Sequence, residues 1–429
     1  MNAKIVAVIA IVVVVAAGCG AALLVMNNDD SDKPYRSSDM TGRLAVMGNA
    51  NNDDYIDDKD LDVLDAIIDG TTTAAEHPLA DANNDGTVDS KDREMVQKMI
   101  DKTKQTVYFV DANSKIAKAD YPLSRVVVVG TNVMLSVQAI GGITEGRVVG
   151  VTGEKTKDYT LFSDVKDITK VSTSVASADY DTVSLIGNVD AILTMGSATY
   201  IKNEKQFTDA GIEVLRFPSS DGLRAVSTAL TLGYLLQLEE RAQKYAKFCD
   251  DVLEHVQDLA KKVKENEVKT ALTVTMTLGV SGTISDYYPL PQYVGAKNVA
   301  DWDTASKNYE EGDTWLRDEK YHVDKLIHYK QYSYDDANFK DTYKTLAENF
   351  DDIATYQDHN YVVVNSYAPA IVRLAYTASI LYPEIYGADY GDEIHQQYID
   401  GFVDNLREAG YKVSEHHAMI TYDDVYGSA

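Results

Sequence analysis

The longest amphipathic pattern in this chain runs from residue 233 to residue 266. Apolar residues recur there at steps of three and four, and neither proline nor glycine interrupts the run after Gly233. These residues are Leu238, Ala242, Tyr245, Phe248, Val252, Val256, Leu259 and Val263. This spacing places them on one stripe of an α-helix roughly 40 Å long. Because the pattern lasts only about four heptads and strand-like sequence flanks it, we predict a rigid helix between two α/β lobes rather than a coiled coil.

Strand-like and helix-like patterns alternate on the N-terminal side of this helix. Apolar runs predict strands at residues 107–110, 125–129, 147–151, 191–193 and 213–217, and the second strand is followed by a helix. Such alternation predicts a parallel sheet with helices on both faces. Ligands on these sheets bind beyond the carboxyl ends of the strands, so binding residues are expected just after them.

A second α/β pattern follows the long helix. It predicts strands at residues 271–276 and 361–364, a helix at 368–382 that ends before Pro383, and a closing helix at 394–409. Two similar lobes joined by one helix predict a ligand-binding cleft between the lobes.

Two acidic loops with the same spacing precede the first lobe. Oxygen-bearing side chains occupy loop positions 1, 3, 5, 9 and 12, and position 7 offers its backbone carbonyl, which is the ligand set that calcium requires. The predicted ligands are Asn49, Asn51, Asp53, Tyr55, Asp57 and Asp60 in loop 1, and Asp81, Asn83, Asp85, Thr87, Asp89 and Asp92 in loop 2. Asp54 replaces the usual glycine at position 6 of loop 1. Two copies in one register favour two calcium sites over a pair of ordinary acidic turns.

An apolar run opens the chain at residues 5–26 and has about the length that crosses a bilayer. Lys4 precedes it and residues 27–30 are polar or acidic, so the positive-inside rule places the remainder of the chain outside the cell. Cys19 ends a sequence that resembles a lipoprotein cleavage site, in which the cysteine would carry lipid. Because apolar residues continue to Val25, an uncleaved anchor is favoured, and both alternatives tether the protein to the membrane.

The charge balance argues against nucleic acid as a partner. The chain has 67 acidic and 40 basic residues, a net charge of −27, and an acidic surface repels nucleic acid. The sequence also has no GxGxxG, Walker, HExxH or CxxC pattern and no catalytic-triad spacing. We therefore predict no catalytic residues.

Residues 41–104 resemble a type I dockerin domain, which has two calcium loops that each precede one helix. The resemblance rests on the loop spacing and on Asp60 and Asp92, which end the loops where a full EF-hand has glutamate. It implies docking to a cohesin module on another protein. Residues 58–59 and 90–91 differ from the small hydroxyl residues that often contact cohesin in this family. A calcium-stabilised spacer and a module within its own complex therefore stay open as alternatives.

The chain from about residue 121 to residue 409 resembles the solute-binding proteins of ABC importers for iron siderophores, haem and cobalamin. Five short segments and the long helix carry the resemblance: Arg125-Val-Val-Val-Val-Gly130, Arg147-Val-Val-Gly-Val151, Asn188-Val-Asp190-Ala-Ile-Leu193, Val294-Gly-Ala-Lys-Asn-Val299 and Tyr361-Val-Val-Val-Asn-Ser366. The family implies an α/β, two-lobed periplasmic-binding-protein fold, a stiff connecting helix and docking to a permease through one acidic residue on each lobe. Asp181, beside Asp179, and Glu319 are the candidates for these permease contacts.

Tyrosine is the most abundant aromatic residue, with 29 copies against 8 Phe and 2 Trp. Flat rings with a polar tip suit a macrocycle or a catecholate chelate, and an arginine suits a ligand carboxylate. The predicted ligand-binding residues are Asn132, Met134, Met195, Tyr200, Tyr287, Tyr288, Trp302, Trp315, Tyr367 and Arg373.

The sequence thus predicts five segments: a membrane anchor or lipoprotein signal (1–30), a dockerin-like domain (41–104), a first lobe (106–232), a bridging helix (233–266) and a second lobe (267–429). The leading hypothesis is a tethered solute-binding protein that delivers a metal chelate or corrinoid to an importer. A second is a cell-surface interaction protein that docks through its calcium module. A third is an enzyme on the same framework, such as a chelatase, with His322 or His328 as a base.

Overall fold

The computed structural model describes residues 44–153, 160–172, 177–196, 201, 203–218, 224–275, 277–309, 313–335 and 337–427. The predicted membrane anchor and Cys19 lie outside these residues. The described chain divides into two units: one extends to Phe248 without residues 160–163, and the other contains those four residues and everything from Cys249 onward. Among the described residues, no helix is long and apolar enough to cross a membrane.

Each acidic loop leads into a helix that the loop itself caps. These helices are α1 (Asp58–Ile68) and α2 (Ser90–Ile100). Asp57 and Asp89 are the N-cap residues, and their side chains accept hydrogen bonds from the first-turn backbone of the helix. Asp60 and Asp92 complete capping boxes by accepting from the N-cap amides. Both helices therefore begin at loop position 10, before the loop itself ends.

The first unit contains an antiparallel hairpin and a parallel five-stranded sheet. The hairpin strands are β1 (Gln105–Val110) and β2 (Ile116–Tyr121), and the sheet strands are β3 (Val126–Val128), β4 (Val148–Thr152), β5 (Thr169–Ser172), β6 (Ala191–Met195) and β7 (Glu213–Phe217). The sheet order is β5-β4-β3-β6-β7, and every pair is parallel. The helices of this unit's α/β region are α3 (Thr131–Ala139), α4 (Tyr180–Ile186), α5 (Glu204–Asp209) and α6 (Arg224–Leu236). The alternating pattern therefore predicted the parallel sheet correctly, although it missed β2 and β5.

The predicted helix at residues 233–266 is wrong at both ends. The long helix, α7, spans Glu239–Ala260, and Gly233 belongs to α6. Gln237 separates the two helices with a positive φ of 57°, and the Leu238 amide donates to the Gly233 carbonyl at 2.7 Å. This left-handed turn terminates α6 in the way that glycine usually does, so glutamine gave no warning of it. The 22 residues of α7 still form one uninterrupted helix of roughly 33 Å.

The second unit contains a seven-stranded mixed sheet. Its strands are β8 (Thr270–Thr275), β9 (Gly279–Ser281), β10 (Lys297–Asn298), β11 (Ser306–Asn308), β12 (Lys325–Lys330), β13 (Tyr361–Asn365) and β14 (Met419–Ile420). The order is β11-β9-β8-β12-β13-β14, and β10 pairs with β8. The central strands β8, β12 and β13 are parallel, whereas β9, β11 and β14 pair antiparallel.

The second unit also contains helices, which lie between and after these strands along the chain. They are α8 (Leu290–Tyr293), α9 (Phe339–Ala347), α10 (Ala354–Gln357), α11 (Ala370–Leu381), α12 (Pro383–Tyr386), α13 (Tyr390–Phe402), α14 (Asp404–Glu408) and α15 (Tyr422–Tyr426). The predicted closing helix at residues 394–409 is wrong because Val403, with φ −121° and ψ 83°, divides it into α13 and α14.

Candidate functional site

Arg373 lies at the carboxyl edge of the second sheet. Helix α11 begins five residues after β13 ends, so its first turns lie beyond the ends of the parallel strands, where α/β sheets bind ligands. The Arg373 side chain is only 7% exposed. Its Nη1 donates a hydrogen bond to the Tyr287 hydroxyl, and its guanidinium lies 4.6 Å from the centre of the Tyr287 ring. Two of the predicted ligand-binding residues are therefore in direct contact.

The Arg373 charge has no acidic partner among the described residues. No carboxylate of a described residue lies within ion-pair distance of it, and its buried Nε has no hydrogen-bond partner in this part of the chain. A buried, unpaired charge is costly, and its Nε–H is a donor with a fixed direction. A negatively charged ligand group that reached this edge of the guanidinium would remove that cost.

Tyr287 contributes a second donor to the same place. Burial raises its pKa, so the hydroxyl stays protonated at neutral pH even though the adjacent Arg373 lowers the pKa in part. Because the oxygen accepts from Arg373, the hydroxyl hydrogen can still be donated to a ligand. Behind it the ring packs 5.0 Å from the ring of Tyr329, whose buried hydroxyl bonds to Thr377 at 2.6 Å. These contacts fix the orientation of the pair.

The other aromatic candidates of the second unit divide between two environments. Trp302 and Trp315 pack edge to face at 5.4 Å and join the apolar core around Tyr321. Tyr288 packs against the same core. The half-buried Tyr367 packs edge to face with Phe162 at 5.9 Å. For Trp302, Trp315 and Tyr288 the structure thus shows a packing role, which a count of aromatic residues cannot distinguish from a binding role.

The candidates of the first unit lie after β3 and β6, as expected. Gly130, with a φ of 110°, begins α3, and a Cβ atom there would lie 3.4 Å from Met195 Cγ. Asn132 and Met195 are half-buried at this edge. Met134 is fully buried in this structure, so it presents no surface at this edge. Tyr200 falls outside the residues that the structure describes.

The histidines offered for catalysis lie in different settings. His328 is completely buried within β12, and its Nδ1 lies 2.6 Å from the Tyr361 hydroxyl. Its side chain is therefore shielded from solvent inside the second sheet. His322 is exposed and contacts Asp358 at 2.7 Å.

The sequence interpretation missed His395, which is buried in α13 between two tyrosines. Tyr376 donates to Asp392 and therefore accepts from His395 Nδ1–H, whereas the Tyr334 hydroxyl donates to Nε2. Burial lowers the pKa of His395 to about 3, so it is neutral at physiological pH. A lone histidine in a helical pattern gives no signal of such a network.

The acidic candidates for permease contact are both on the surface. Asp181 is exposed on α4, and Glu319 is exposed on a short 3₁₀ turn. Asp179 instead caps α4 by accepting from the Thr182 amide at 2.8 Å. Leu185 lies one turn after Asp181 and is 87% exposed, which leaves an apolar side chain uncovered beside the acidic one.

The two acidic loops share one hydrogen-bond register. In each loop the amides of positions 3 and 9 donate to the Asp at position 12, that of position 5 donates to the Asn at position 3, and that of position 7 donates to the Asp at position 5. The repeat in sequence is therefore also a repeat in structure. The loops differ at position 6: Gly86 has a φ of 90°, whereas Asp54 avoids positive φ. A non-glycine residue with positive φ at position 6 would be strained, and Asp54 is free of that strain.

The donor chemistry of the loops suits a hard cation. Asn49, at position 1 of loop 1, is fully buried, and its Oδ1 accepts no hydrogen bond from any described residue. Burial raises the pKa of Asp60, at position 12, to about 6, as expected for a carboxylate held without a counter-charge. A calcium ion would satisfy both groups. Across the described residues, however, no three His, Cys, Asp or Glu side chains are already arranged around a common metal position.

A lysine occupies the same place in both loops. Lys59 Nζ lies 3.7 Å from Asp53 and 3.4 Å from Asp57, and Lys91 Nζ lies 3.6 Å from Asp85 and 3.7 Å from Asp89. Each ammonium group thus contacts the carboxylates of positions 5 and 9. These carboxylates already attract a positive charge in each loop.

Solved structures supply the comparison for this fold, since no protein-family profile and no curated sequence matches the chain. The TroA-like periplasmic binding protein FepB from Veillonella parvula is similar over 69% of this chain and 96% of its own, with 15% identity and a TM-score of 0.55. The molybdate-bound periplasmic binding protein MolA of a Haemophilus influenzae ABC transporter is similar over 69% and 98%, with 15% identity and a TM-score of 0.54. Helicobacter pylori CeuE, in a complex with nickel and histidine, is similar over 71% and 99%, with 15% identity and a TM-score of 0.53.

These similarities define the class of fold. The chain shares its α/β fold with these periplasmic binding proteins, one of which, MolA, is the cognate binding protein of an ABC transporter. The similar structures hold ligands as different as molybdate and nickel with histidine, so the fold leaves the ligand open.

Proposed function

We propose that the protein is an extracytoplasmic solute-binding protein of an ABC importer, and that its ligand is an anionic metal chelate or corrinoid. The observation that carries this proposal is the buried guanidinium of Arg373, which has no acidic partner among the residues that the structure describes and is held in place by Tyr287. Iron siderophores and haem carry carboxylate or catecholate oxygens, and cobalamin derivatives carry a phosphodiester. All of these groups accept the hydrogen bonds that an arginine offers.

Isothermal titration calorimetry against a ferric catecholate, a ferric hydroxamate, haem, cobalamin and molybdate tests the proposal. We expect tight binding of one anionic member of the set, and about 10- to 100-fold weaker binding by Arg373→Gln, because that variant loses charge-assisted hydrogen bonds. Arg216→Gln is the matched control, since Arg216 is equally buried but is paired with Glu204 at 2.9 Å. Equal binding by wild type and Arg373→Gln would contradict the role of Arg373.

We further propose that each acidic loop binds one calcium ion. The support is the shared hydrogen-bond register, the unpaired Oδ1 of Asn49 and the oxygen-rich ligand set. The ligands would be the twelve loop residues predicted from the sequence. Elemental analysis after dialysis should find two calcium ions per chain, and Asp53→Ala and Asp85→Ala should each lose one. A metal-free chain at millimolar calcium would refute this assignment.

The tether and the permease contacts complete the proposal. The apolar run at residues 5–26 would hold the protein at the outer face of the membrane, with Cys19 as the alternative lipid attachment point. Asp181, with the exposed Leu185 beside it, and Glu319 would contact the permease. Solute uptake by cells that carry Asp181→Arg should fall while solute affinity in calorimetry stays unchanged. Docking of the calcium module to a cohesin-type partner is a separate proposal that pull-down with cohesin modules tests.

A further inference from the structure

The segment from Leu44 to Met47 joins the acidic loops to the β1–β2 hairpin. All four residues are buried, and Val46 pairs antiparallel with Phe109 of β1. The Met47 amide donates to the Tyr108 carbonyl at 2.9 Å, and the Val110 amide donates to the Ala45 carbonyl at 2.8 Å. We call Leu44–Met47 the junction strand. It is joined to β1 by one antiparallel bridge and these two hydrogen bonds, so the loops are not attached to the first unit by a free linker.

Loop 1 follows the junction strand directly. Asn49, its first predicted calcium ligand, donates through Nδ2 to the Leu44 carbonyl at 2.8 Å and to the Asp53 carbonyl at 2.7 Å. One amide group therefore bonds to the junction strand and to the loop, while its oxygen is buried without a hydrogen bond. A cation that bound this oxygen would fix the orientation of the whole amide, and hence its bond to the junction strand.

Further contacts hold the module against the helices of the first unit. Lys102, just after α2, pairs with Glu239 at the start of α7 at 3.1 Å, and the Ala45 amide donates to Thr231 of α6 at 3.3 Å. Tyr55 and Ile56 of loop 1 line a cavity of about 200 Å³ together with Tyr234 of α6. Loop 1 thus faces α6 and α7, whereas positions 4 to 7 of loop 2 are exposed.

The hairpin in turn contacts the parallel sheet at β7. The Phe109 ring stacks on the Phe217 ring at 5.5 Å, and the Ala112 amide donates to the Arg216 carbonyl at 3.0 Å. Both contacts lie at the carboxyl end of β7, the edge where α/β sheets bind ligands. A continuous path of hydrogen bonds and packed rings therefore leads from loop 1 to this edge.

We propose that the calcium-loop module is an integral part of the first unit, and that calcium in loop 1 orders the junction strand and the β1–β7 contact. The module is then an internal stabiliser of the solute-binding domain. Loop 2, which has no equivalent of the Asn49 bond, does not share this role: Asp81, its first residue, accepts only from the amides of Asp85 and Gly86 within the loop. The inference rests on the calcium binding proposed above.

Hydrogen exchange of the full chain, with calcium and with a chelator, tests the proposal. At a free calcium concentration of about 100 times Kd, the amides of Met47 and Val110 should exchange about 100-fold more slowly in the wild type. Asn49→Ala should abolish this calcium effect at β1, and Asp81→Ala, the equivalent change in loop 2, should retain it. Each variant is compared with itself, with and without calcium, so a general loss of stability does not imitate the result. Asp53→Ala replaces Asn49→Ala if the latter does not fold.

Calcium uptake is measured on the same samples by elemental analysis, which separates the two ways of failing. If calcium binds but slows exchange only within residues 49–102, the module is independent and the inference is overturned. Equal losses of the calcium effect at β1 in Asn49→Ala and Asp81→Ala would overturn the assignment to loop 1. If no calcium binds, the proposed calcium sites and the inference fail together.

Discussion

Arg373 and Arg216 show how one residue type serves two purposes in this chain. Both are nearly buried, but Arg216 pairs with Glu204, whereas the Arg373 guanidinium contacts the ring and hydroxyl of Tyr287 and has no carboxylate partner among the described residues. A structural arginine is usually matched with a carboxylate because burial of an unpaired charge is unfavourable. The unmatched arginine is consequently the better indicator of a ligand.

The two arginines should differ in what their replacement does to stability. Arg373→Gln removes an unpaired charge, so we expect the free energy of unfolding to change by less than about 1 kcal/mol in the absence of ligand. Arg216→Gln leaves Glu204 unpaired and should destabilise by about 1–2 kcal/mol, a value discounted because Glu204 is partly exposed. Urea denaturation of both variants measures the difference. A larger loss for Arg373→Gln would mean that this residue is structural.

The burial of His395 makes the folding stability of the protein depend on pH in a direction that can be stated. Its folded pKa of about 3 lies below the ordinary value of 6.5, so the unfolded chain binds more protons between these values. Stability should therefore fall as pH decreases from about 6.5 towards 3, by up to about 1.4 kcal/mol per pH unit. His395→Gln should lack this part of the slope. The measurement is chemical denaturation from pH 7 to pH 4.5, and parallel slopes in both proteins would contradict the burial of a neutral histidine.

At the scale of single residues the sequence named both members of the Arg373–Tyr287 pair, and the structure places them in direct contact. Tyrosine was named for its flat ring with a polar tip, and arginine for its fit to a ligand carboxylate. The burial of Met134 was not predicted, because residues that follow a strand can turn into the core as easily as towards the ligand edge. Trp302 and Trp315 look the same in sequence whether they pack together or bind a ligand.

At the scale of elements, the turn between α6 and α7 depends on Gly233. A Cβ atom at that position would lie 2.4 Å from the Cβ of Ala242, so the two helices approach closely only where α6 has no side chain. The sequence interpretation took Gly233 as the first residue of the long helix. Its actual role is to permit contact between α6 and α7, and the break itself is made by Gln237.

Two helical glycines of this chain allow a matched test. Gly233→Ala should destabilise by about 1–3 kcal/mol because the added methyl group forces α6 and α7 apart. Gly401→Ala, near the end of α13, has no atom within 4 Å of the new methyl group and should stabilise by about 0.5 kcal/mol through its helix propensity. Thermal unfolding compares the two. Similar effects from both substitutions would contradict the close packing at Gly233.

Apolar runs predicted several strands closely but missed others, among them β12, which lies between β8 and β13 in the second sheet. Strand β7 was predicted with its observed ends, and the fully buried strands β3 and β13 lie within one or two residues of their predictions. β2 was missed because Lys118 and Asp120 alternate with small residues, which is typical of an exposed hairpin strand. The break at Val403 was missed because neither glycine nor proline marks it.

At the scale of the molecule, the order of the elements predicted the class of fold. Two α/β regions on either side of one long helix were recognised from the sequence, and the similar solved structures confirm that fold. The association of the acidic loops with the first unit was not predicted, because a dockerin-like repeat implies an independent module. Only the structure reveals the buried junction strand that joins them.

Solute capture is the central claim, and native mass spectrometry of the full chain purified from its own cells tests it most directly. The account predicts one anionic small molecule per chain, present in wild type and Arg216→Gln and depleted in Arg373→Gln. A chain that carries no small molecule, and gains none when supplied with ferric siderophores, haem, cobalamin or molybdate, would contradict it.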